Sequence, residues 1–361
     1  MNGRSFFRIS LIALVALVAH SVFAAYEVQI TKEQRDRFLK AAKVWRPPQP
    51  DDILSTEGNG GRIVDRLDCQ ASSYKFPGGK TPKFLCAALD KNGTATDDVV
   101  KIKYGLKNSE IAGEVAGEML LRHLGFGGDH MQIARVLVCY GNDCPKDNEP
   151  SQPIQPLPTH SPYEIRNWVS VERRMEGHEL LVREKQGFTI SELASIPRTG
   201  EDKAQADAFL LLLAFVNHAD SKPENQRLMC LPDRMDEQTK ECKAPFALVH
   251  DAGSFFGAGL LREKVKLSAW RSVAVFSKKN CTVEVRSSWA ASDFPPIKIS
   301  EEGRQFLLTR LKAMVDSPGH NQIRNLFTAA HMDMDPNSTI DEWVKTFIDK
   351  VDEIERTGPC E

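Results

Sequence analysis

Residues 218–225 of this chain read His218-Ala-Asp-Ser-Lys-Pro-Glu-Asn225, and this octet is the most informative segment of the sequence. Immediately before it, residues 207–216 form an apolar run rich in strong helix formers, which predicts a buried helix leading into a polar loop. After it, residues 246–249 predict a short buried strand that ends in His250-Asp-Ala-Gly253. The sequence therefore predicts a helix, a polar loop and a strand that bring two groups of polar side chains together.

The octet resembles the catalytic loop of protein kinases, H-R-D-x-K-P-E-N, with six of the eight positions in agreement. The Asp-Ala-Gly that follows the later strand looks like the D-F-G element of the same family. The resemblance implies that Asp220 is the catalytic base and that Lys222 neutralises charge on the transferred phosphoryl group. It also implies that Asn225 and Asp251 bind Mg²⁺ or Mn²⁺, and that ATP is the phosphoryl donor.

Two positions depart from the kinase pattern. Ala219 stands where kinases have Arg, so we expect no control through a phosphorylated loop that pairs with that Arg. Ala252 stands where kinases have Phe, so we expect no switching based on that Phe. The chain is therefore similar to the atypical branch of the superfamily, which includes lipid, persistence-toxin and secretory-pathway kinases. The resemblance places His218 in the catalytic set, as a support for the loop backbone.

A strand lysine and a helix glutamate complete the kinase pattern. Lys101 and Lys103 lie two residues apart in a predicted strand, so both face the same side. Glu110, Glu114 and Glu118 share one face of the helix predicted over 110–124. We take Lys103 and Glu114 as the ion pair that binds the ATP phosphates, with Lys101 and Glu118 as alternatives. The competing interpretation is that these side chains are solvent-exposed.

Two further segments are predicted to contact the nucleotide. Gly78 and Gly79 lie in Phe76-Pro-Gly-Gly-Lys-Thr-Pro-Lys83, where a loop covering the phosphates is expected, although a plain surface turn is the alternative. A P-loop is excluded because Tyr74 occupies the position that needs a glycine. Residues 172–177, beginning with Glu172, are the expected hinge that contacts adenine.

These elements predict an α+β, two-lobed, kinase-like fold. We expect a signal peptide over 1–24, an N-terminal extension over 25–71 that packs on the small lobe, a small lobe over 72–175 and a large lobe over 176–361. The extension should contain a helix over 32–44. The last part of the chain predicts helices over 301–316, 321–331 and 339–355.

The N-terminus predicts export. Arg4 and Arg8 precede an apolar stretch, and small residues at positions 22 and 24 suit signal cleavage before Ala25. We expect a periplasmic or secreted protein with no membrane span after cleavage, the alternative being an uncleaved anchor. A formal net charge of −2 without a basic cluster predicts that nucleic acid is not a partner.

The eight cysteines of an exported chain predict disulfides. Cys139 and Cys144 flank a turn, and Cys230 and Cys242 bracket a polar insertion. The remaining pairs would be Cys69–Cys86 and Cys281–Cys360.

The predicted function is transfer of the ATP γ-phosphoryl group to a hydroxyl on a protein, sugar or lipid. A pseudokinase that binds nucleotide or a protein partner without turnover is one alternative. A metal-dependent phosphohydrolase is another, in which His218, Asp220, His250 and Asp251 would hold the metal. Transfer of AMP in place of phosphate also remains open.

Overall fold

The structure is a computed structural model that describes residues 27–54, 63–71, 81–105, 110–141, 144, 163–182, 187–232, 234–236, 238–257, 265–277, 280–288, 291–334 and 337–360. It is a mixed α+β structure, as the sequence predicts.

The described strands are β1 (Glu27–Gln29), β2 (Ile63–Ala71), β3 (Lys83–Leu89), β4 (Ala95–Lys103), β5 (His130–Tyr140), β6 (Tyr163–Arg173), β7 (His178–Leu181), β8 (Gln226–Cys230), β9 (Pro245–Val249), β10 (Thr282–Val283) and β11 (Ile297–Lys298). The described α-helices are α1 (Lys32–Ala41), α2 (Glu110–His123), α3 (Ile190–Ser195), α4 (Gly200–Phe215), α5 (Leu267–Ser272), α6 (Glu301–Val315), α7 (Asn321–Ala329) and α8 (Ile340–Arg356). Helix α2 and the C-terminal helices lie within two residues of their predicted bounds.

Five strands close into a barrel in the order β2-β3-β4-β6-β5. The pairing is antiparallel except between β2 and β5, which run parallel. The turn between β3 and β4 has Gly93 at a φ of +76°, a conformation that glycine adopts without strain. Alternate residues of β4 and β6, such as Val100, Ile102 and Val169, fill the barrel interior.

Helix α2 is buried along almost its whole length, from residue 111 to residue 122. It packs against β5 and β6 on one side and against α7 and the 3-10 turn Met332–Met334 on the other. Apart from its glutamates and its final turn, this helix has small or apolar side chains, so it can be enclosed on all sides.

Helix α4 forms the centre of the helical part of the molecule. Its residues 204–215 are all buried, and it packs against α3 and α6. Close to it lies a four-stranded sheet in the order β1-β7-β8-β9. The antiparallel pairing of β8 with β9 places Gln226 opposite Val249, so the loop before β8 and the loop after β9 meet at one edge.

The N-terminal segment differs from its prediction in three respects. Helix α1 ends at Ala41 rather than at residue 44, because Ala42 has extended φ and ψ angles of −63° and 130°. The segment also contacts more than the predicted small lobe. Strand β1 pairs with β7, and the Lys43 main chain hydrogen-bonds Pro245 and Ala247. Only further along does the segment reach α2, where Asp52 forms an ion pair with Arg122. Residues 63–71, expected in the extension, form the first barrel strand.

All eight cysteines form disulfides, and the four pairs are the predicted ones. Cys69–Cys86 joins β2 to β3, Cys139–Cys144 closes the turn after β5, Cys230–Cys242 brackets the insertion between β8 and β9, and Cys281–Cys360 ties the C-terminus to the turn before β10. Within the part of the chain that the structure describes, no helix has the length and apolar character needed to cross a membrane.

Candidate active site

The octet forms a loop at the end of α4, as predicted. The chain leaves the helix through Asn217, whose φ of +54° is one that asparagine tolerates better than most residues. The Asn217 side chain donates a hydrogen bond of 2.7 Å to the Gly257 carbonyl. The loop then enters the 3-10 turn Pro223–Asn225 and continues directly into β8. A buried helix and a buried strand therefore fix both ends of the loop.

Asp220 lies in this loop with 20% of its side chain exposed. Its Oδ2 accepts a hydrogen bond of 2.9 Å from Lys222 Nζ. Its Oδ1 is buried and has no hydrogen-bond partner among the described residues. A buried carboxylate oxygen without a donor is costly, so this atom is suited to accept a hydrogen bond from a bound hydroxyl group.

Asn225 connects the two motifs. Its amide nitrogen donates a 2.6 Å hydrogen bond to the Asp220 carbonyl, which leaves its Oδ1 as the side-chain atom that can bind a cation. Its main-chain carbonyl accepts hydrogen bonds from the N–H groups of His250 (2.9 Å) and Asp251 (3.3 Å). Asn225 and the segment that begins with His250-Asp251 are thus held side by side.

Asp251 is the more exposed carboxylate of the site, with 39% of its side chain accessible. Its Oδ1 accepts a 3.0 Å hydrogen bond from the Gly253 N–H. A Cβ at position 253 would lie 3.1 Å from this oxygen, so glycine leaves room for the carboxylate. Partial burial acts to raise the pKa of Asp251, but Lys103 and Lys101 outweigh it and hold the pKa well below its usual range.

Lys103 and Glu114 form the buried ion pair expected from the sequence. The Nζ of Lys103 lies 2.6 Å from Glu114 Oε1 and 4.0 Å from Asp251 Oδ1, and only 3% of Lys103 is exposed. Burial lowers the pKa of Lys103, but Asp251, Glu114 and Glu172 together raise it above its ordinary value. Burial raises the pKa of Glu114 to about 7, against the lowering effect of Lys103. Lys103 is therefore a permanent cation between two carboxylates.

The alternative lysine and glutamate have other partners. Lys101 forms an ion pair with the buried carboxylate of Glu172. Glu118 Oε2 accepts a 2.8 Å hydrogen bond from the Asp129 N–H. Burial, with the nearby Asp129 and Glu114 carboxylates, raises the pKa of Glu118 well above its usual value. The side chains of Lys101, Lys103, Glu114 and Glu118 are therefore not solvent-exposed.

His218 lies beneath the loop and is fully buried. With the Gln226 amide oxygen facing the ring, His218 Nε2 donates to that oxygen at 2.7 Å, and the amide nitrogen donates to the Lys222 and Phe188 carbonyls. Burial lowers the pKa of His218 to about 3, so the ring is neutral at neutral pH. The geometry fits support of the loop and not contact with a substrate.

Phe255 is a site residue that the sequence did not single out. Its ring packs edge-on against His218, with centroids 5.0 Å apart. It also lies against α2, since a Cβ on Gly117 would be 2.6 Å from Phe255 Cδ2 and 2.9 Å from the Ala252 Cβ. The absence of a side chain on Gly117 therefore makes the close approach of α2 to Phe255 and Ala252 possible. The spacing of Gly113 and Gly117 in a helix was the available signal.

The metal arrangement of the phosphohydrolase alternative is not formed. His218 is bonded to Gln226, and burial lowers the pKa of His250 to about 4, so its neutral ring donates from Nδ1 to Asp129 Oδ2 at 2.6 Å. Among the described residues, the His, Asp and Glu group with metal-ligand spacing is Asp129, Glu172 and His250. Its members are paired with each other or with Lys101, which already supplies a cation.

The donor set beside the ion pair fits a hard divalent cation. Asp251 and Asn225 offer carboxylate and amide oxygens, the ligands that Mg²⁺ and Mn²⁺ prefer. Gly78 and Gly79 lie outside the described residues. Thr81, which follows them, donates a hydrogen bond to Glu110 at the start of α2.

No protein-family model matches this chain, and no curated protein matches it either. Among solved structures, the chain is similar to the crystal structure of the proinflammatory kinase CtkA of Helicobacter pylori. The two are 11% identical, the TM-score is 0.40, and the match covers 81% of this chain and 94% of that chain. This score is too low to establish a shared fold.

Proposed function

We propose that this chain is an exported, ATP-dependent phosphotransferase with a two-lobed kinase-like fold. The barrel and α2 would form the small lobe, and the helical part from β7 onward the large lobe. One observation carries the proposal. In the buried Lys103–Glu114 ion pair, the Lys103 Nζ lies 4.0 Å from Asp251 Oδ1. The main-chain N–H of Asp251 in turn donates a hydrogen bond to the Asn225 carbonyl. Four motif residues from separate parts of the chain thus meet at one site.

The nucleotide would lie between the barrel and the catalytic loop. Lys103, a cation fixed by Glu114, would bind the phosphates, and Asp251 with Asn225 Oδ1 would hold the divalent cation. When bound, that cation neutralises the charge of the phosphate oxygens during transfer. The loop containing Gly78 and Gly79 would cover the phosphates. Because the Glu172 carboxylate is paired with Lys101, adenine would be bound by the main chain after β6.

Asp220 would orient the acceptor hydroxyl and take its proton. Its buried Oδ1 lacks a donor, and Lys222 beside Oδ2 would stabilise charge on the transferred group. Because the transition state of phosphoryl transfer is loose, the proton leaves late and positioning is the main contribution of this residue. The acceptor is a hydroxyl of a protein, sugar or lipid.

Export is supported by four disulfides, which persist in oxidising compartments. A periplasmic or secreted location requires that ATP reach the protein there.

Metal-dependent nucleotide binding tests the proposal. Purified protein with intact disulfides should bind ATP in magnesium and lose most of that binding in excess chelator. Asp251→Ala should bind ATP as weakly in magnesium as wild type does in chelator. The control Asp349→Ala changes an exposed residue of α8 and should bind ATP as wild type does. Equal binding with and without chelator would contradict the proposed cation site.

Product mass then identifies the reaction. Incubation of wild type with ATP and candidate acceptors should add a phosphoryl group to one of them and release ADP. An adenylyl adduct would instead identify AMP transfer, and metal-dependent binding without any turnover would identify a pseudokinase.

A further inference from the structure

Three successive residues of the proposed catalytic loop, Ala219, Asp220 and Ser221, each form a hydrogen bond with a residue that is distant in the sequence. The partners lie 34 to 73 positions further along the chain, in two segments that follow Asp251. The three hydrogen bonds run from Ser292 Oγ to the Ala219 carbonyl at 2.9 Å, from the Asp220 N–H to Ser254 Oγ at 3.1 Å, and from the Asp293 N–H to Ser221 Oγ at 3.2 Å.

The partner residues are themselves held by neighbouring structure. Asp293 Oδ1 accepts a 2.7 Å hydrogen bond from Ser191 Oγ at the start of α3. The next residue, Phe294, is buried in the main hydrophobic core. Ser254 is also buried and follows the Asp-Ala-Gly element directly. The three bonds therefore connect the loop to fixed points rather than to a free surface segment.

The position of the Asp220 carboxylate depends on this main chain. Its side chain has one described hydrogen-bond donor, Lys222, which belongs to the same loop. Position 219, where protein kinases have Arg, is a fully buried alanine in this chain. No charged side chain at this position therefore connects the loop to the rest of the molecule. Small displacements of a catalytic group lower rates strongly, so the contacts that fix this main chain should matter for turnover.

We infer that Ser254, Ser292 and Asp293 are positioning residues that hold Asp220 in place through neutral hydrogen bonds, without a phosphorylated residue. The contribution of these three residues to phosphoryl transfer rests on the proposed function. The bonds themselves are a property of the folded chain. The two parts can therefore be tested separately.

Turnover tests the positioning role. Ser292→Ala and Ser254→Ala should each lower kcat about 10-fold while the KM for ATP stays within about twofold, because the nucleotide-binding groups are unchanged. Ser292→Thr keeps the hydroxyl and should restore most of the rate. Ser195→Ala is the matched control, since Ser195 Oγ also donates to a main-chain carbonyl, that of Glu192, away from the site. An unchanged kcat in both variants, or an equal loss in the control, would overturn the role.

Hydrogen–deuterium exchange of the full, disulfide-bonded chain tests the bonds without any need for turnover. The Asp220 amide should exchange about 10-fold faster in Ser254→Ala, which removes its acceptor, and amides of residues 218–222 should exchange faster in Ser292→Ala. Unchanged exchange in both variants would overturn the inference. If wild type shows no turnover, the proposed function fails, and the exchange result still decides whether the three bonds hold the loop.

Discussion

Lys103 and Glu114 form an ion pair with 2.6 Å between Nζ and Oε1, in which each residue is at most 3% exposed. One belongs to the barrel and the other to a helix that is enclosed on all sides. Removing two charges from water is costly, and the attraction within a buried pair often repays only part of that cost. Its retention in this position therefore fits a role in binding, in which Lys103 presents a fixed positive charge beside Asp251.

The first prediction separates the stability of this pair from its function. Lys103→Met should lower the free energy of unfolding by roughly 3 kcal/mol, the low end for removal of one partner of a buried pair. The low end applies because Glu114, with a pKa raised to about 7, can take up a proton. Lys103→Met/Glu114→Gln should recover most of the stability in denaturant titrations, but neither variant should recover ATP binding. Normal ATP affinity in the double variant would show that the lysine does not bind phosphate.

The second prediction concerns the contact between α2 and Phe255. Gly117→Ala adds a Cβ that would lie 2.6 Å from the Phe255 ring. The overlap should cost more than the gain in helix propensity, with a net loss of about 1–2 kcal/mol in thermal unfolding and a lower kcat. Phe255→Leu in the same chain removes ring atoms and should restore part of both. A more stable Gly117→Ala protein with full activity would contradict the close packing.

The third prediction is a pH dependence of stability due to His218. Burial lowers the pKa of His218 to about 3 in the folded protein, below the value of about 6.5 that an exposed histidine has, so the unfolded chain binds the extra proton. The contribution of His218 to the free energy of unfolding is therefore fully present above pH 6.5 and is lost as the pH falls toward 3. Between pH 7 and pH 4 wild type should lose roughly 3 kcal/mol more than His218→Asn in urea titrations. Parallel pH profiles would show that the ring is not buried and neutral.

The fourth prediction ranks two disulfides by the loops that they close. Cys281–Cys360 spans 79 residues and Cys230–Cys242 spans 12. Replacing both cysteines of the first pair by serine should cost about 4–5 kcal/mol, and of the second about 3 kcal/mol, because the longer loop gains more freedom when unfolded. Denaturant titrations of the two variants measure the order. Non-reducing peptide mapping of wild type should first recover all four pairs, and free thiols would contradict them.

Much of the site could be predicted because its residues sit in short segments with strong local patterns. The octet after an apolar helix, the Asp-Ala-Gly after an apolar strand and the lysines on one strand face need only local periodicity and motif spacing. The pairing of Lys103 with Glu114 was implied by the resemblance to protein kinases, and its burial in the structure leaves each charge few other ways to be compensated.

Contacts between distant segments could not be predicted from such patterns. Ser292 meets Ala219 across 73 residues, and nothing around Ser292 distinguishes it from other polar loop residues. The pairing of β1 with β7 and the position of Phe255 likewise depend on how whole elements pack. Sequence periodicity shows which face of an element is buried, but not which partner covers it.

The rate of phosphoryl transfer by Asp220→Asn, compared with that of wild type at saturating magnesium and ATP, tests whether Asp220 is the catalytic base. Asparagine keeps the size of the side chain and an acceptor oxygen but cannot take a proton at neutral pH. We predict normal metal–ATP affinity and a transfer rate lower by roughly two to four orders of magnitude, the range for loss of a positioned general base. A wild-type transfer rate in this variant would contradict the assignment of Asp220 as the catalytic base.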